Sequence, residues 1–398
     1  MNKILLVSRI FPPEVGGSGR WLWELYSRFP RGEVVVVAHA STGSHEFDAT
    51  HDMPIKRIPL SMESWGVLNW HCGTAYLRLY RTLAKLAYEQ SVSEIHAACV
   101  LPEGFLAWLL WQRRGLPYRL FVHGEELGFV SKSGELSWLA THILRDAKQV
   151  VANSHNTANL LLEGWAIDPR RVVVLHPGVE TDVYCPAPRD IVTRRRLGWG
   201  DRPVVLTVGR LQQRKGQDNF IRSIVETRRA VPDVLYSIVG DGTDRERLVG
   251  LVDELQLHNH VKIQGELRNA DLVAAYQQCD LFALANREVQ GDIEGFGLVL
   301  LEAQACGKPV LTGNSGGTRE TINAPETGVL LNGASVAQIA AETVRLLTDT
   351  ERMSAMGFAA RDWTCQNFDW SVCVERARQA FGLSNARAAV VSEKEFVG

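Results

Sequence analysis

Two carboxylates eight residues apart, Glu294 and Glu302, stand in the segment Glu294-Gly295-Phe296-Gly297-Leu298-Val299-Leu300-Leu301-Glu302. With a helix starting near Gly297, Glu294 falls in the loop before it and Glu302 falls inside it. The N–H groups of Phe296, Gly297 and Leu298 then lack intrahelical acceptors and carry the positive end of the helix dipole. That setting favours phosphate or a negatively polarised oxygen. Carboxylates beside it accept hydrogen bonds from hydroxyls. One pocket therefore offers acceptors for a polyol and donors for phosphate. The plainer readings are a loop acid near a helix start and a solvent-facing helix residue. Val299, Leu300 and Leu301 weigh against the second, because they predict a mostly buried helix.

Basic residues come from Gly209-Arg210-Leu211-Gln212-Gln213-Arg214-Lys215-Gly216, directly after the apolar run Pro203–Val208. In open parallel sheets ligands lie beyond the carboxyl ends of strands. Arg210 as a fork and Lys215 as a point charge suit a diphosphate there. The P-loop pattern GxxxxGK[ST] is not satisfied, and a basic surface loop is the plainer reading. In Gly16-Gly17-Ser18-Gly19, adjacent glycines let the backbone approach a ligand closely. A dinucleotide fingerprint is excluded, because Leu22 stands where GxGxxG needs glycine. His123 follows the apolar Arg119–Val122 and can orient a hydroxyl or move a proton; a structural histidine is the alternative.

These residues need a scaffold of strands ending at one edge. Lys3–Ser8 reads as a buried strand, the Pro/Gly cluster 12–17 as a loop, and the following residues to about Phe29 as a helix with Ser18 as its cap. Glu33–Ala38 is a second buried strand. This order predicts a parallel, doubly wound sheet. Further strands are expected at 119–122, 149–152 and 171–175. After Cys185-Pro186-Ala187-Pro188, which favours an extended linker, strands recur at 203–209, 234–240, 261–265, 280–284 and 309–312. The fold class is therefore α/β, with two Rossmann-like domains at 1–184 and 185–370. A helix follows over 371–384, and a flexible tail over 385–398.

Composition agrees. The chain has 398 residues, enough for two or three domains, with 45% hydrophobic and 22% charged residues, as in ordinary globular proteins. Its 43 basic and 45 acidic residues leave a formal charge of −2, which gives no global attraction for nucleic acid. Seven cysteines form no CxxC pair, so neither a disulfide framework nor a zinc site is expected, and reduced thiols suit the cytoplasm. The apolar run Ile4–Val7 is too short for a signal-peptide core, and Phe105–Trp111 is far below a membrane span.

In this order the four segments resemble the retaining GT-B glycosyltransferases of family 4, from Lys3 to about Phe381. The resemblance implies a nucleotide-sugar donor between two facing domains, with the acceptor on the N-terminal one. Glu294 would hold hydroxyls of the donor sugar and Glu302 the ribose. Arg210 and Lys215 would neutralise the leaving diphosphate, and Gly16 and Gly17 would close over it. His123 would contact the sugar near its reacting carbon. Gly240 and the backbone near Leu267 would line the nucleotide. The terminal helix would cross back to the N-terminal domain, and no catalytic metal or other cofactor is implied. Asp292-Ile293-Glu294-Gly295-Phe296-Gly297 is similar to bacterial phosphatidylinositol mannosyltransferases, which favours GDP-mannose over a UDP-sugar and a lipid-linked or envelope glycan acceptor. Trp65, Trp70, Trp108, Trp111 and Trp138, with Arg78, Arg81 and Lys85 on an amphipathic stretch, suit peripheral contact with the inner membrane face; a helix packed on the sheet is the plainer reading. A nucleotide-sugar epimerase or hydrolase and a non-catalytic nucleotide-sugar-binding protein are the rival functions.

Overall fold

The computed structural model describes residues 3–383 apart from Val15, Glu63, Asn69 and Arg268; the tail expected at 385–398 lies outside the described residues. Seven strands form a first sheet: β1 (Ile4–Ser8), β2 (Val34–His39), β3 (Ile55–Ile58), β4 (Glu94–Ala97), β5 (Tyr118–Val122), β6 (Gln149–Ala152) and β7 (Val172–Val174). Six form a second: β8 (Val204–Val208), β9 (Leu235–Val239), β10 (Val261–Gly265), β11 (Leu281–Leu284), β12 (Val310–Gly313) and β13 (Gly328–Leu331). The orders are β3-β2-β1-β4-β5-β6-β7 and β10-β9-β8-β11-β12-β13. Every pairing between these strands is parallel; Ile4 through Ser8, for example, pair in register with Val34 through Ala38. Helices cover both faces, so every residue of β1, β5, β8 and β9 is buried. Strand order reverses between β1 and β4 and again between β8 and β11. Those crevices are where ligands of doubly wound sheets bind.

Three strands escape the sequence reading, two through their polarity and one through its shortness. β3 is Ile-Lys-Arg-Ile at a sheet edge, and β13 is a short edge strand opened by Gly328. β4 is internal, yet carries Glu94 and His96. Both polar groups are satisfied locally: Arg119 and Lys148 pair with Glu94, and Tyr26 hydrogen-bonds His96. One helix boundary also differs. The first helix spans Gly17–Ser27, and Gly16 is its N-cap, with no side-chain cap. Ser18 therefore lies inside the first turn. Gly19 sets the position of that turn, because a Cβ there would sit 2.6 Å from the carbonyl oxygen of Ile10.

The last helix, Trp370–Ala380, packs on the first sheet's core. Trp370, Cys373, Val374 and Ala377 join Leu6, Trp21, Leu25 and Tyr26 in one buried cluster. Arg119 donates to the carbonyl of Phe381 at 2.9 Å, and Arg378 pairs with Glu33 at 2.8 Å. Chain order thus places the C-terminal helix beside the N-terminal strand. All seven cysteines are free.

Candidate functional site

Glu294 follows the carboxyl end of β11, in the loop before the helix Leu298–Ala305. Gly297 caps that helix at φ 94°, a left-handed conformation that glycine adopts without strain. Glu294 is buried, and its carboxylate meets Lys215 Nζ at 2.5 Å and Arg214 Nη1 at 2.7 Å. Burial alone would raise its pKa, but the two cations outweigh burial and hold it below the usual carboxylate value. The carboxylate is therefore charged at neutral pH and ready to accept hydrogen bonds.

Sequence reasoning missed Arg214, which is the centre of this cluster. Its guanidinium is buried, and it also pairs with Glu125 at 2.7 Å and with Asp292 at 3.2 Å. Glu125 follows β5 in the other half of the chain, so Arg214 spans the interface. Arg210, expected to share the centre with Lys215, sits at the rim instead. Its side chain is 66% exposed and its nearest carboxylate, Glu125, is 3.9 Å away. The difference comes from the tight turn Gln213–Lys215, which rotates Arg214 and Lys215 inward. Gly216 ends that turn at φ 75°, where a Cβ would lie 1.8 Å from the carbonyl oxygen of Ala285. No side chain fits there, so the turn is pressed onto the end of β11. A signal was available in the sequence: two adjacent cations just before a glycine that opens a helix.

Glu302 lies on the second turn of the helix Leu298–Ala305, buried among Leu300, Leu301 and Ala303. Both of its oxygens are engaged. Oε1 accepts from Arg20 Nη1 at 2.6 Å and Oε2 accepts from the hydroxyl of Tyr276 at 2.6 Å. Arg20 belongs to the helix Gly17–Ser27, which the Gly16-Gly17 loop opens. The two residues are 282 positions apart in the chain. A Cβ added at Gly17 would meet nothing within 4 Å, and one at Gly16 would meet Ile10 at 2.9 Å. The backbone at Gly17 is thus open to a ligand.

His123 sits across from Glu294. A Cβ at Gly295 would lie 2.7 Å from the carbonyl oxygen of His123, so the two segments touch backbone to backbone. His123 Nε2 is 2.8 Å from the carbonyl oxygen of Ala98. A carbonyl can only accept, so Nε2 carries the hydrogen and Nδ1 of the neutral ring is an acceptor. Phe296 is buried and Leu298 half-buried at the helix start. Gly240 donates its N–H to Gly265 at 2.8 Å, and Leu267 packs half-buried on the second sheet's core.

A cleft of about 1520 Å³ meets the cluster at Glu125 and Asp292 and continues between Phe129, Asn156, Asn314 and Asn332. Neither Glu294 nor Glu302 lines it. Among the described residues, His155, His176 and Glu320 bring three potential metal-ligand atoms within 4.8 Å. Glu320 is already committed, accepting from the backbone N–H groups of His155 and Asn156 at 2.7 and 2.9 Å and pairing with His176 at 2.8 Å. It caps the helix His155–Gly164 from the opposite half of the chain. No helix among the described residues is long and apolar enough to cross a membrane.

Comparison with known proteins follows the same division. Residues 15–183 match the family profile Glycosyltransferase Family 4, and residues 191–363 match Glycosyl transferases group 1. The chain is 32% identical, over 97% of its length and 99% of the relative's, to a GDP-mannose-dependent alpha-(1-6)-phosphatidylinositol monomannoside mannosyltransferase of Mycolicibacterium smegmatis. It is 33% identical, over 60% of its length and 56% of the relative's, to a D-inositol 3-phosphate glycosyltransferase of Salinispora arenicola. In fold it is similar to Anabaena Alr3699/HepE in complex with UDP, with a TM-score of 0.81 at 22% identity over 96% of this chain and 99% of that one. Sucrose-phosphate synthase from Thermosynechococcus elongatus gives 0.77 at 21% identity over 96% and 100%. The two switch-point crevices, the buried carboxylate between two cations and these likenesses agree: the chain is a GT-B protein and belongs to the group 1, family 4 glycosyltransferases.

Proposed function

We propose that the protein transfers mannose from GDP-mannose, with retention, to an inositol-containing lipid acceptor at the inner face of a membrane. The observation that carries this reading is Glu294, buried and charged between Lys215 and Arg214 at the start of the helix Leu298–Ala305. The names of the most similar relatives support the donor and the acceptor class.

The roles follow from charge. Glu294 accepts from hydroxyls of the donor sugar, and His123 Nδ1 accepts from another. Breaking the sugar–phosphate bond builds negative charge on the diphosphate. Arg210, Lys215 and the N–H groups of Gly295–Leu298 meet that charge, and such preorganised electrostatics is usually the largest catalytic term. Gly16 and Gly17 cover the diphosphate, Glu302 takes the ribose, and Gly240 and Leu267 flank the nucleotide. The bond from the anomeric carbon to the phosphate oxygen breaks as a bond to the acceptor oxygen forms on the same face. The leaving phosphate takes the acceptor's proton. These cations serve in place of a metal. The N-terminal unit, 1–184 with the returning helix, takes the acceptor, and 185–370 takes the donor.

The acceptor side has a suitable surface. In the helix Trp70–Glu89, Leu79, Leu83 and Leu86 are buried on the sheet while Arg78, Arg81 and Lys85 face outward. Trp70 and Tyr88 are more than four-fifths exposed, and Leu77 is about half exposed. Packing on the sheet and contact with lipid are compatible, because they use opposite faces. Apolar rings beside outward cations suit anionic headgroups.

Thermal shift with GDP, UDP, ADP and their sugar conjugates tests the donor. A ligand that binds only the folded state raises stability by about 2.7 kcal/mol at a hundredfold excess over Kd. GDP and GDP-mannose are expected to act. A shift with UDP alone would reassign the donor, and no shift at all would overturn the reading. Transfer of labelled mannose to phosphatidylinositol-mannoside vesicles then tests the acceptor; release of free sugar alone would mark a hydrolase or epimerase.

A further inference from the structure

The Glu302 side chain is only 4% exposed and each of its oxygens already accepts a hydrogen bond, so the ribose that the reading above gives it finds no open approach. One partner must leave, and burial decides which. Tyr276 is fully buried; its hydroxyl has no water to turn to, and stranding it would cost about 1–3 kcal/mol. Arg20 is 41% exposed and can rotate into solvent or onto another anion. It stands in the first turn of the helix Gly17–Ser27, about one 5.4 Å turn from the Gly16-Gly17 loop. Its other neighbours hold it weakly. Glu24 is 4.0 Å away, the hydroxyl of Tyr184 is 3.5 Å away, and the guanidinium lies 5.8 Å from the Tyr184 ring centroid.

We propose that Arg20 is a donor-binding residue that changes partner: it holds Glu302 until the donor arrives, then passes to the diphosphate as the ribose takes its place on Glu302. The exchange keeps the guanidinium paired throughout. A guanidinium leaves one carboxylate oxygen and meets phosphate oxygens, for which its fork is better matched. Glu302 trades that ion pair for a hydrogen bond from the ribose hydroxyl and keeps the one from Tyr276. Donor binding is thereby sensed from both halves of the molecule, because Arg20 and Glu302 belong to opposite halves. This inference rests on the placement of ribose at Glu302 and diphosphate at Gly16-Gly17.

Arg20→Gln separates the exchange from a merely structural strut, because its effects on two probes should have opposite signs. Guanosine needs Glu302 but offers no phosphate, so its affinity should rise at least threefold when Arg20 no longer competes. GDP should bind at least tenfold more weakly, having lost a cation. Arg20→Lys keeps the charge without the fork, and should place GDP affinity between wild type and Arg20→Gln while returning guanosine to its weaker binding. Calorimetry or ligand-observed NMR on the full chain reads both. Equal losses for guanosine and GDP, or no change in either, would overturn the exchange while leaving the donor site intact. Wild-type protein that binds neither GDP nor UDP would overturn the underlying reading itself. If Arg20→Gln fails to fold, the lysine variant still decides: guanosine affinity falling there as much as GDP affinity would also overturn the exchange.

Discussion

Glu294 and Glu302 sit eight residues apart in one loop-and-helix segment, yet their surroundings are built differently. Glu294 is gripped by Lys215 and Arg214, both from the same half of the chain, with Arg214 itself tied to Asp292 and Glu125. Glu302 is gripped by Arg20, which comes from the opposite half. Both cations on Glu294 belong to its own half, with Arg214 braced across the interface by Glu125, while the cation on Glu302 depends wholly on the alignment of the halves. A carboxylate that must present a fixed field to a reacting sugar gains from the first kind. A carboxylate that reports whether the two halves are aligned gains from the second.

Removing the fixed pair should do the most damage. Glu294→Ala and Lys215→Ala are each expected to lower turnover by about 10³-fold, the scale of losing a preorganised electrostatic group; unchanged turnover in either would break the role assignments. Arg214→Met comes next. It leaves Glu125, Asp292 and Glu294 short of a cation, and breaking a buried pair from one side costs about 3–5 kcal/mol of stability. Denaturant melts would measure it. A loss under 1 kcal/mol would show that Arg214 is not the strut it resembles.

Acid separates the site from the scaffold. Glu294 is held below its usual pKa and stays charged into mild acid. His96, in β4, is pushed down to about 4, chiefly by burial. Its unfolded value is about 6.5, so the unfolded chain takes up a proton first as pH falls. Stability from this group is full above pH 6.5 and is lost between about 6.5 and 4, by up to about 1.36 kcal/mol per pH unit. Tm should therefore fall across that window while turnover per folded molecule holds. An activity loss that precedes the melt would contradict the charge state given to Glu294. The smallest effect is expected at the latch between halves. Glu320→Gln weakens a cap on the helix His155–Gly164, which should cost about 1 kcal/mol and leave kcat unchanged.

The sequence announced most of the scaffold, and for a physical reason. Strands buried on both faces must be continuous apolar runs, so β1, β2, β8 and β9 are visible at once. β4 is invisible because its Glu94 is satisfied by Arg119 and Lys148 and its His96 by Tyr26, partners distant in sequence. The site divides likewise. The carboxylate pair and Lys215 stand out by type and spacing, and the helix start near Gly297 follows from its glycines. That Arg214 turns inward and Arg210 outward depends on one tight turn against β11, which no pattern of residue types encodes. Nor does local sequence say that Arg20 meets Glu302, since the contact exists only once two separately folded halves face each other.

The chain passes from one half to the other after Val179 and returns at Asp369, and the two crossings are bonded together. Val179 and Asp369 form a bridge, and the N–H of Val179 donates to Phe368 at 2.8 Å. Gly178 permits the contact, since a Cβ there would lie 2.9 Å from the carbonyl oxygen of Phe368. Nearby, Arg361 gathers the carbonyls of Thr181, Tyr184 and Ala305 at 2.8–3.0 Å. Two crossing segments thus run side by side and are tied to each other. A single connecting strand lets two bodies swivel about every axis, whereas a tied pair resists twisting and leaves one soft rotation. Topologically the second half is then a guest inserted into the first, its entry and exit adjacent, and it could be excised and rejoined without moving either end far.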